Sequence, residues 1–226
     1  MSGDNTTSHA AADYEAEVQR TIPHHTDLIE TAIDVALAAR PGARRWLDTG
    51  CGPGTLAARV LAREPSMELT LADPSDAMLE QARLRLPSLD GARFLRTTSQ
   101  DLPDGPKFDV VTAVLCHHYV DMETRARAVE RCRDRLVPGG ALVVFENVRS
   151  ESDRGHELQR ERWRRWLRDH GRDEAAITAQ LAREGTKFFP VRVSQHLGLF
   201  AHLGFATVEL IWRAWGQAGF VAITEA

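Results

Sequence analysis

Leu47-Asp48-Thr49-Gly50-Cys51-Gly52-Pro53-Gly54 places three glycines at alternate positions between a short apolar run and a helical stretch. The backbone there can turn tightly, and a ligand can approach it without interference from Cβ atoms. An acid stands directly ahead of the first glycine, and the spacing is G-x-G-x-G. A dinucleotide fingerprint is G-x-G-x-x-G, with a helix N-terminus receiving the pyrophosphate. Asp48 would repel a pyrophosphate but would favour the ammonium of an amino-acid moiety. Asp73 closes the next apolar run, twenty-five residues beyond Asp48. That is close to the separation of about 20 residues at which an α/β site places an acid on ribose hydroxyls. The spacing therefore favours a nucleoside carrying an amino-acid tail.

Outward from this loop, two patterns alternate. Short apolar runs at Trp46-Leu47, Met67 to Ala72, Phe94-Leu95, Val110 to Leu115 and Ala141 to Phe145 suit buried strands of a parallel sheet. Between them, Thr55 to Arg63, Asp76 to Leu86 and Glu123 to Leu136 carry apolar residues at helical spacing. This rhythm predicts a doubly wound, Rossmann-like α/β fold. Further on, Arg154 to Gly171, Glu174 to Arg183 and Gln195 to His202 read as helices. Ala206 to Arg213 and Gly219 to Thr224 read as an antiparallel hairpin about Gly216, on the sheet edge.

The chain has 226 residues, 43% of them hydrophobic and 27% charged, which excludes disordered, collagen-like and coiled-coil classes. A single domain is expected: a lid over 1–43, a cofactor-binding core over 44–146, a helical cap insertion over 151–190, and a closing helix and hairpin over 191–226. The formal charge of −4 disfavours a nucleic-acid module. Cys51, Cys116 and Cys132 show no CxxC pairing, which fits a reducing compartment, and no leader or membrane span is visible. A cytoplasmic location is expected, and a monomer and a homodimer are equally open.

Asp48 to Gly54, Leu71 to Ser75 with Met78, Asp101-Leu102-Pro103, Phe108 to Val111, His117-His118 and Leu136 to Gly140 together resemble the ordered motifs of class I S-adenosylmethionine-dependent methyltransferases. The resemblance covers roughly residues 44 to 146. It implies a mostly parallel, seven-stranded sheet with its last strand antiparallel, and S-adenosylmethionine as cofactor. It places the Gly50, Gly52 and Gly54 loop, with Asp48 and Cys51, under the methionine part. Asp73 would lie on the ribose with Pro74, Met78 and Leu115 nearby, and Thr98, Ser99, Gln100 and Asp101 near the adenine. Relatives often carry an acid where Thr98 stands, and a hydroxyl accepts the adenine contact less strongly.

Within the class, Arg20 to His25, the helical insertion, and Leu203-Gly204-Phe205 with Glu209-Leu210 are similar to carboxy-S-adenosylmethionine synthases of tRNA uridine modification. Those enzymes hold the extra carboxylate of their modified cofactor with an arginine of the insertion. Alignment through Gly204-Phe205 puts that position near Leu181, with Arg183 the nearest cation, and His25 stands where they carry tyrosine. Ordinary S-adenosylmethionine with a different, small-molecule acceptor is therefore expected. The alternatives are such a synthase and a cofactor- or RNA-binding protein without turnover.

Methyl transfer from a sulfonium needs a base only when the acceptor must lose a proton, and His117 and His118 are the candidates. His25 is expected on the lid. Adjacent histidines on a strand point to opposite faces, so no metal site is expected. Arg160, Arg162, Arg164, Arg165 and Arg168 alternate with Trp163 and Trp166 in the pattern of an amphipathic cap: tryptophans inward, arginines paired with Glu157, Glu161 and Asp169. Phe188, Phe189, Trp212 and Trp215 are candidates for an apolar acceptor pocket.

Overall fold

A computed structural model describes residues 14–86 and 93–226. The first thirteen residues of the expected lid lie outside the described residues. Two helices, α1 (Tyr14–Thr21) and α2 (His25–Ala39), precede the alternation β1 (Arg45–Thr49), α3 (Thr55–Arg63), β2 (Glu68–Asp73), α4 (Asp76–Arg85), β3 (Arg93–Arg96), β4 (Phe108–Val114), α5 (Met122–Asp134) and β5 (Leu136–Arg149). The cap follows as α6 (Asp153–Asp169) and α7 (Glu174–Leu181). The chain then closes through β6 (Val191–Arg192), α8 (Val193–His202), β7 (Thr207–Ala214) and β8 (Gln217–Ile223).

The main sheet runs in the order β3-β2-β1-β4-β5-β8-β7. Strands β1 to β5 pair in parallel, and β8 is antiparallel to both of its neighbours. The expected antiparallel last strand is therefore present. It lies inside the sheet, between β5 and β7, and β7 forms the edge. The two-residue β6, parallel to the end of β5, has no signal in the sequence. Strand β5 begins at Leu136 rather than Ala141, because the glycine-rich stretch ahead of Ala141 forms a bulge against β4. There Gly139, at φ 67°, donates its N–H to Glu225 O, and Gly140 O accepts from Thr224 N.

Strand alternation builds two cores. Trp46, Leu71, Val110, Val143 and Phe145 pack toward the side of α2 and α3. Leu47, Ala72, Val111, Leu142, Val144 and Phe220 pack on the other side with residues of α5 and α8. Each fully buried large apolar side chain contributes about 1.5–3 kcal/mol relative to exposure. Trp46 keeps its one polar atom satisfied by donating Nε1–H to Thr112 Oγ1 at 2.9 Å.

Helix starts are written locally. Ser75, Asp121, Ser152 and Asp173 each accept a backbone N–H of the first turn that follows, opening α4, α5, α6 and α7. Helix α3 differs: its N-cap is Gly54 at φ 77°, with no side-chain cap. Strand order reverses between β1 and β4, so the crevice beyond their C-terminal ends is the place where such a sheet binds ligands. The cap and the N-terminal helix meet above that end. Trp163 Nε1 donates to Thr21 O at 2.8 Å, Arg20 Nε donates to His170 O at 3.3 Å, and Arg172 pairs with Glu17.

Candidate active site

A cleft of about 840 Å³ opens at this reversal point. Four successive strand ends supply its walls: Gly50 and Gly52 after β1, Asp73 and Pro74 after β2, Thr98 to Gln100 after β3, and Val114 to His117 at the end of β4. Met78 of α4 and Tyr14 of α1 complete it. Ten of the expected site residues, Gly50, Gly52, Asp73, Pro74, Met78, Thr98, Ser99, Gln100, Leu115 and His117, thus share one cavity.

The three glycines of the loop are glycine for three different reasons. A Cβ on Gly50 would sit 2.4 Å from Cys116 Cβ, so this position is set by packing. A Cβ on Gly54 would meet Ala82 Cβ at 3.1 Å, and Gly54 seats α3 on α4 instead of lining the cleft. Gly52, at φ 54°, has nothing within 4 Å of a Cβ and lines the cleft, which makes it the position where a side chain would protrude into the cavity. Asp73 is held by two backbone donors, Gly52 N on Oδ2 and Ser75 N on Oδ1, both at 2.9 Å. This ties the glycine loop to the acid that closes β2. The size of the cleft, the bare Gly52 backbone and the fixed acid fit a nucleoside with an amino-acid tail.

Besides Gly54, four of the residues expected on the cofactor take other places. Asp48 is buried and does not line the cleft. It accepts from Thr112 Oγ1 at 2.7 Å, and burial, with Asp73 nearby, pushes its carboxyl up to about 7. Cys51 turns inward, and burial raises its thiol far above the usual range, which makes it an inert packing residue. Asp101 accepts from Thr98 Oγ1 at 2.6 Å and so fixes the turn that presents Thr98, Ser99 and Gln100. His25 is buried among the helices, lowered to about 4 by desolvation and by Arg59, and does not line the cleft. Tyr14 of α1 takes the lid position instead.

The paired histidines separate into two roles. His117 lines the cleft, with Nε2 at 2.9 Å from Ser99 Oγ, which is itself 2.8 Å from Thr49 Oγ1. Burial lowers its imidazole to about 4, so it is neutral and a weak base near pH 7. His118 faces a second cavity of about 460 Å³, whose walls include Thr21, Tyr119, Asn147 and Arg183. Tyr14, Leu115 and Tyr119 line both cavities. Leu115 adopts φ 55°, a strained conformation for a branched residue, at this shared wall.

Behind the histidines lies Glu146, fully buried on β5. It accepts the His117 backbone N–H on Oε1 at 2.9 Å and holds His118 Nδ1 on Oε2 at 2.8 Å. Burial alone would raise this carboxyl, but His118, His117 and Arg125 outweigh it and hold it at about 2. Arg125, also buried, donates to His117 O at 3.2 Å and to Phe189 O at 2.7 Å. Phe189 N in turn donates to His118 O at 2.6 Å, which joins the cap segment to the histidine turn. Sequence reading did not single out Glu146; its signal was an acid continuing the apolar run of β5 without a break.

The cap has the expected sidedness with different partners. Trp163 and Phe188 line the inner cavities, and Trp166 stacks on His170 at 3.6 Å over the small core of Leu167, Ile177 and Leu181. Leu181 is therefore cap core, whereas Arg183 reaches the cavity. Arg160 pairs with Glu184, Arg164 with Glu161 and Glu174, and Arg168 with Glu174; Glu157 pairs with Arg154 instead, and no pair with Asp169 is seen among the described residues. Of the four aromatic candidates, Phe188 and Trp215 line cavities. Trp212 packs on Phe145 in the core, and Phe189 is partly exposed.

Comparison with known proteins agrees with this geometry. A family model described as a methyltransferase domain matches residues 47–142. The carboxy-S-adenosyl-L-methionine synthase of Wolinella succinogenes is 27% identical over 215 residues, covering 92% of this chain and 88% of that protein. An O-methyltransferase family protein from Burkholderia thailandensis superposes with a TM-score of 0.67 at 17% identity, covering 97% of this chain and 61% of that one. Magnesium protoporphyrin IX methyltransferase from Synechocystis, solved with S-adenosylhomocysteine bound, gives a TM-score of 0.64 at 13% identity, over 92% of this chain and 86% of that one. Among the described residues no helix is long and apolar enough to cross a membrane. Residues 47–142 thus match a methyltransferase domain, and the chain is similar over nine-tenths of its length to carboxy-S-adenosyl-L-methionine synthases.

Proposed function

We propose that this chain methylates a small molecule seated in the cavity beside His118, with S-adenosylmethionine bound in the larger cleft. The observation that carries the reading is the pair of adjoining cavities, which share Tyr14, Leu115 and Tyr119 as a common wall. S-adenosylmethionine supplies a methyl group activated on a sulfonium. Gly50 and Gly52 would hold its methionine part, Asp73 its ribose, and Thr98, Ser99 and Gln100 its adenine. Desolvation of the Tyr14 and Tyr119 phenols keeps both neutral, Tyr119 being raised to about 12. The wall between the cavities is therefore uncharged and excludes water from the reacting groups.

Where the acceptor atom bears a proton, His118 is the residue to take it. Its Nδ1–H donates to Glu146, which leaves Nε2 as the lone-pair atom, engaged at 3.2 Å by Asn147 Nδ2 until that amide turns. A proton moving from an acceptor O–H or N–H to Nε2 yields an imidazolium whose charge Glu146 balances. His117, neutral and hydrogen-bonded to Ser99, positions the loop that presents the adenine-side residues.

Titration calorimetry with S-adenosylmethionine and S-adenosylhomocysteine tests the reading. Micromolar binding of both is expected, and binding of neither would end it. A second reading, a synthase acting on the cofactor itself, is favoured by the relative aligned over nine-tenths of the chain and by Arg183 in the cavity wall. Mass spectrometry of the nucleoside that co-purifies separates the two, a carboxylated adduct pointing to the synthase.

A further inference from the structure

A third cavity, of about 400 Å³, lies beneath the cap and shares Asn147, Trp163 and Phe188 with the His118 cavity. Trp163, Phe188 and Trp215 give it flat aromatic walls, with Trp163 and Phe188 edge-to-face at 6.5 Å. Aromatic walls of this kind favour a flat ring between them. It also touches a wide surface depression through His156, Arg160, Glu184 and Pro190, which offers a way in from solvent.

Two of the residues lining this chamber carry polar atoms that are buried without a hydrogen-bond partner: Gln217 Oε1 and His156 Nδ1. Both residues are more than nine-tenths buried. Their remaining polar atoms are committed. Gln217 Nε2 donates to Asn147 Oδ1 at 3.0 Å, and His156 Nε2 lies 2.6 Å from Glu184 Oε1. An imidazole that gives its Nε2–H to a carboxylate presents Nδ1 as a lone pair. Both orphaned atoms are therefore acceptors, and a buried acceptor left unmade is costly enough to call for an explanation.

Resting on the reading that the adjoining cavities hold cofactor and reacting atom, we propose that this chamber is a specificity subsite. It takes the aromatic end of the acceptor and selects rings bearing two hydrogen-bond donors, such as hydroxyl or amino groups, through Gln217 Oε1 and His156 Nδ1. A ring whose donors are masked leaves both acceptors unpaired and is rejected. Gln217 and His156 are specificity residues here, and neither receives the transferred proton.

The test compares 2,3-dihydroxynaphthalene with 2,3-dimethoxynaphthalene by calorimetry on the full chain saturated with S-adenosylhomocysteine. The diol is expected to bind about tenfold or more tightly, as two charge-free hydrogen bonds allow. In Gln217→Met the ratio should fall to about threefold or less, one acceptor having gone, while the affinity for S-adenosylhomocysteine stays as in the parent. Equal affinity for the two naphthalenes, or binding of neither, overturns the proposal, and this comparison on the parent chain needs no variant to fold. Failure of S-adenosylhomocysteine to bind would instead defeat the proposed function, so the two failures are distinguishable.

Discussion

Replacing Asp48 by Asn changes one atom in a buried site behind the cleft and should improve stability while leaving cofactor binding in place. In the parent, burial and the neighbouring Asp73 lift the Asp48 carboxyl from 3.8 to about 7. Each unit of difference corresponds to about 1.4 kcal/mol, so holding the ionised form in the folded chain costs about 4 kcal/mol. The folded state binds more protons than the unfolded state between these two values, so stability falls as pH rises through that window. About 1.5 kcal/mol of the loss is already present at pH 5, and about 4 kcal/mol at pH 8. An asparagine keeps the acceptor for Thr112 Oγ1 and has nothing to ionise. Urea unfolding should therefore show Asp48→Asn gaining on the parent by about 3 kcal/mol between pH 5 and pH 8. Asp48 does not line the cleft, so S-adenosylhomocysteine should bind the variant within about threefold of the parent at pH 8. A stability gap that does not widen with pH refutes the burial argument. A loss of affinity beyond about tenfold refutes the placement of Asp48 behind the cleft.

The glycine loop provides a paired prediction. Gly52→Ala should cost only about 1–2 kcal/mol, the strain of its positive φ, yet weaken S-adenosylhomocysteine binding severalfold because the new methyl enters the cleft. Gly50→Ala drives a Cβ into Cys116 at 2.4 Å and adds overpacking of about 1–3 kcal/mol to similar strain, so unfolding measurements should rank it as the more destabilised of the two. Glu146 gives the acid-side signature. Its carboxyl is depressed to about 2, so its contribution is complete above about 4.5 and is lost as pH falls toward 2. Glu146→Gln should flatten the acid limb of a Tm-against-pH profile, and an unchanged limb would remove Glu146 from the centre of the network.

The parts of the site that were legible in the sequence are those fixed by backbone chemistry. Alternating apolar runs announced every strand of the main sheet, and the G-x-G-x-G loop with Asp73 located the cleft, because strand ends and glycine turns are short-range features. What escaped depends on side-chain direction. Asp48 and Cys51 belong to the right loop but point into the protein, and alternation along so short a turn cannot tell inward from outward. Tyr14 and Arg183 reach the site from a helix before the core and from the cap, through packing that no local pattern encodes. His25 was expected on the lid because the segment that carries it covers the cofactor in the class it resembles, whereas the helix start at His24 buries it near Arg59.

A single line of hydrogen bonds sets His118 apart from His117. Gln217 Nε2 donates to Asn147 Oδ1, Asn147 Nδ2 donates to His118 Nε2 at 3.2 Å, and His118 Nδ1–H donates to Glu146. From the other side, the His117 backbone N–H donates to the same carboxylate. Every donor in the line points toward Glu146, so its negative charge is the terminus that fixes each tautomer and amide orientation. Burying an isolated carboxylate would be prohibitive, and it is this convergence that keeps Glu146 ionised. For His118 Nε2 to receive a proton, Asn147 must turn its amide, and its Oδ1 can then accept the new Nε2–H. That turn breaks the bond to Gln217, which lines the distal chamber. Asn147 thus joins His118 to the chamber beneath the cap through Gln217.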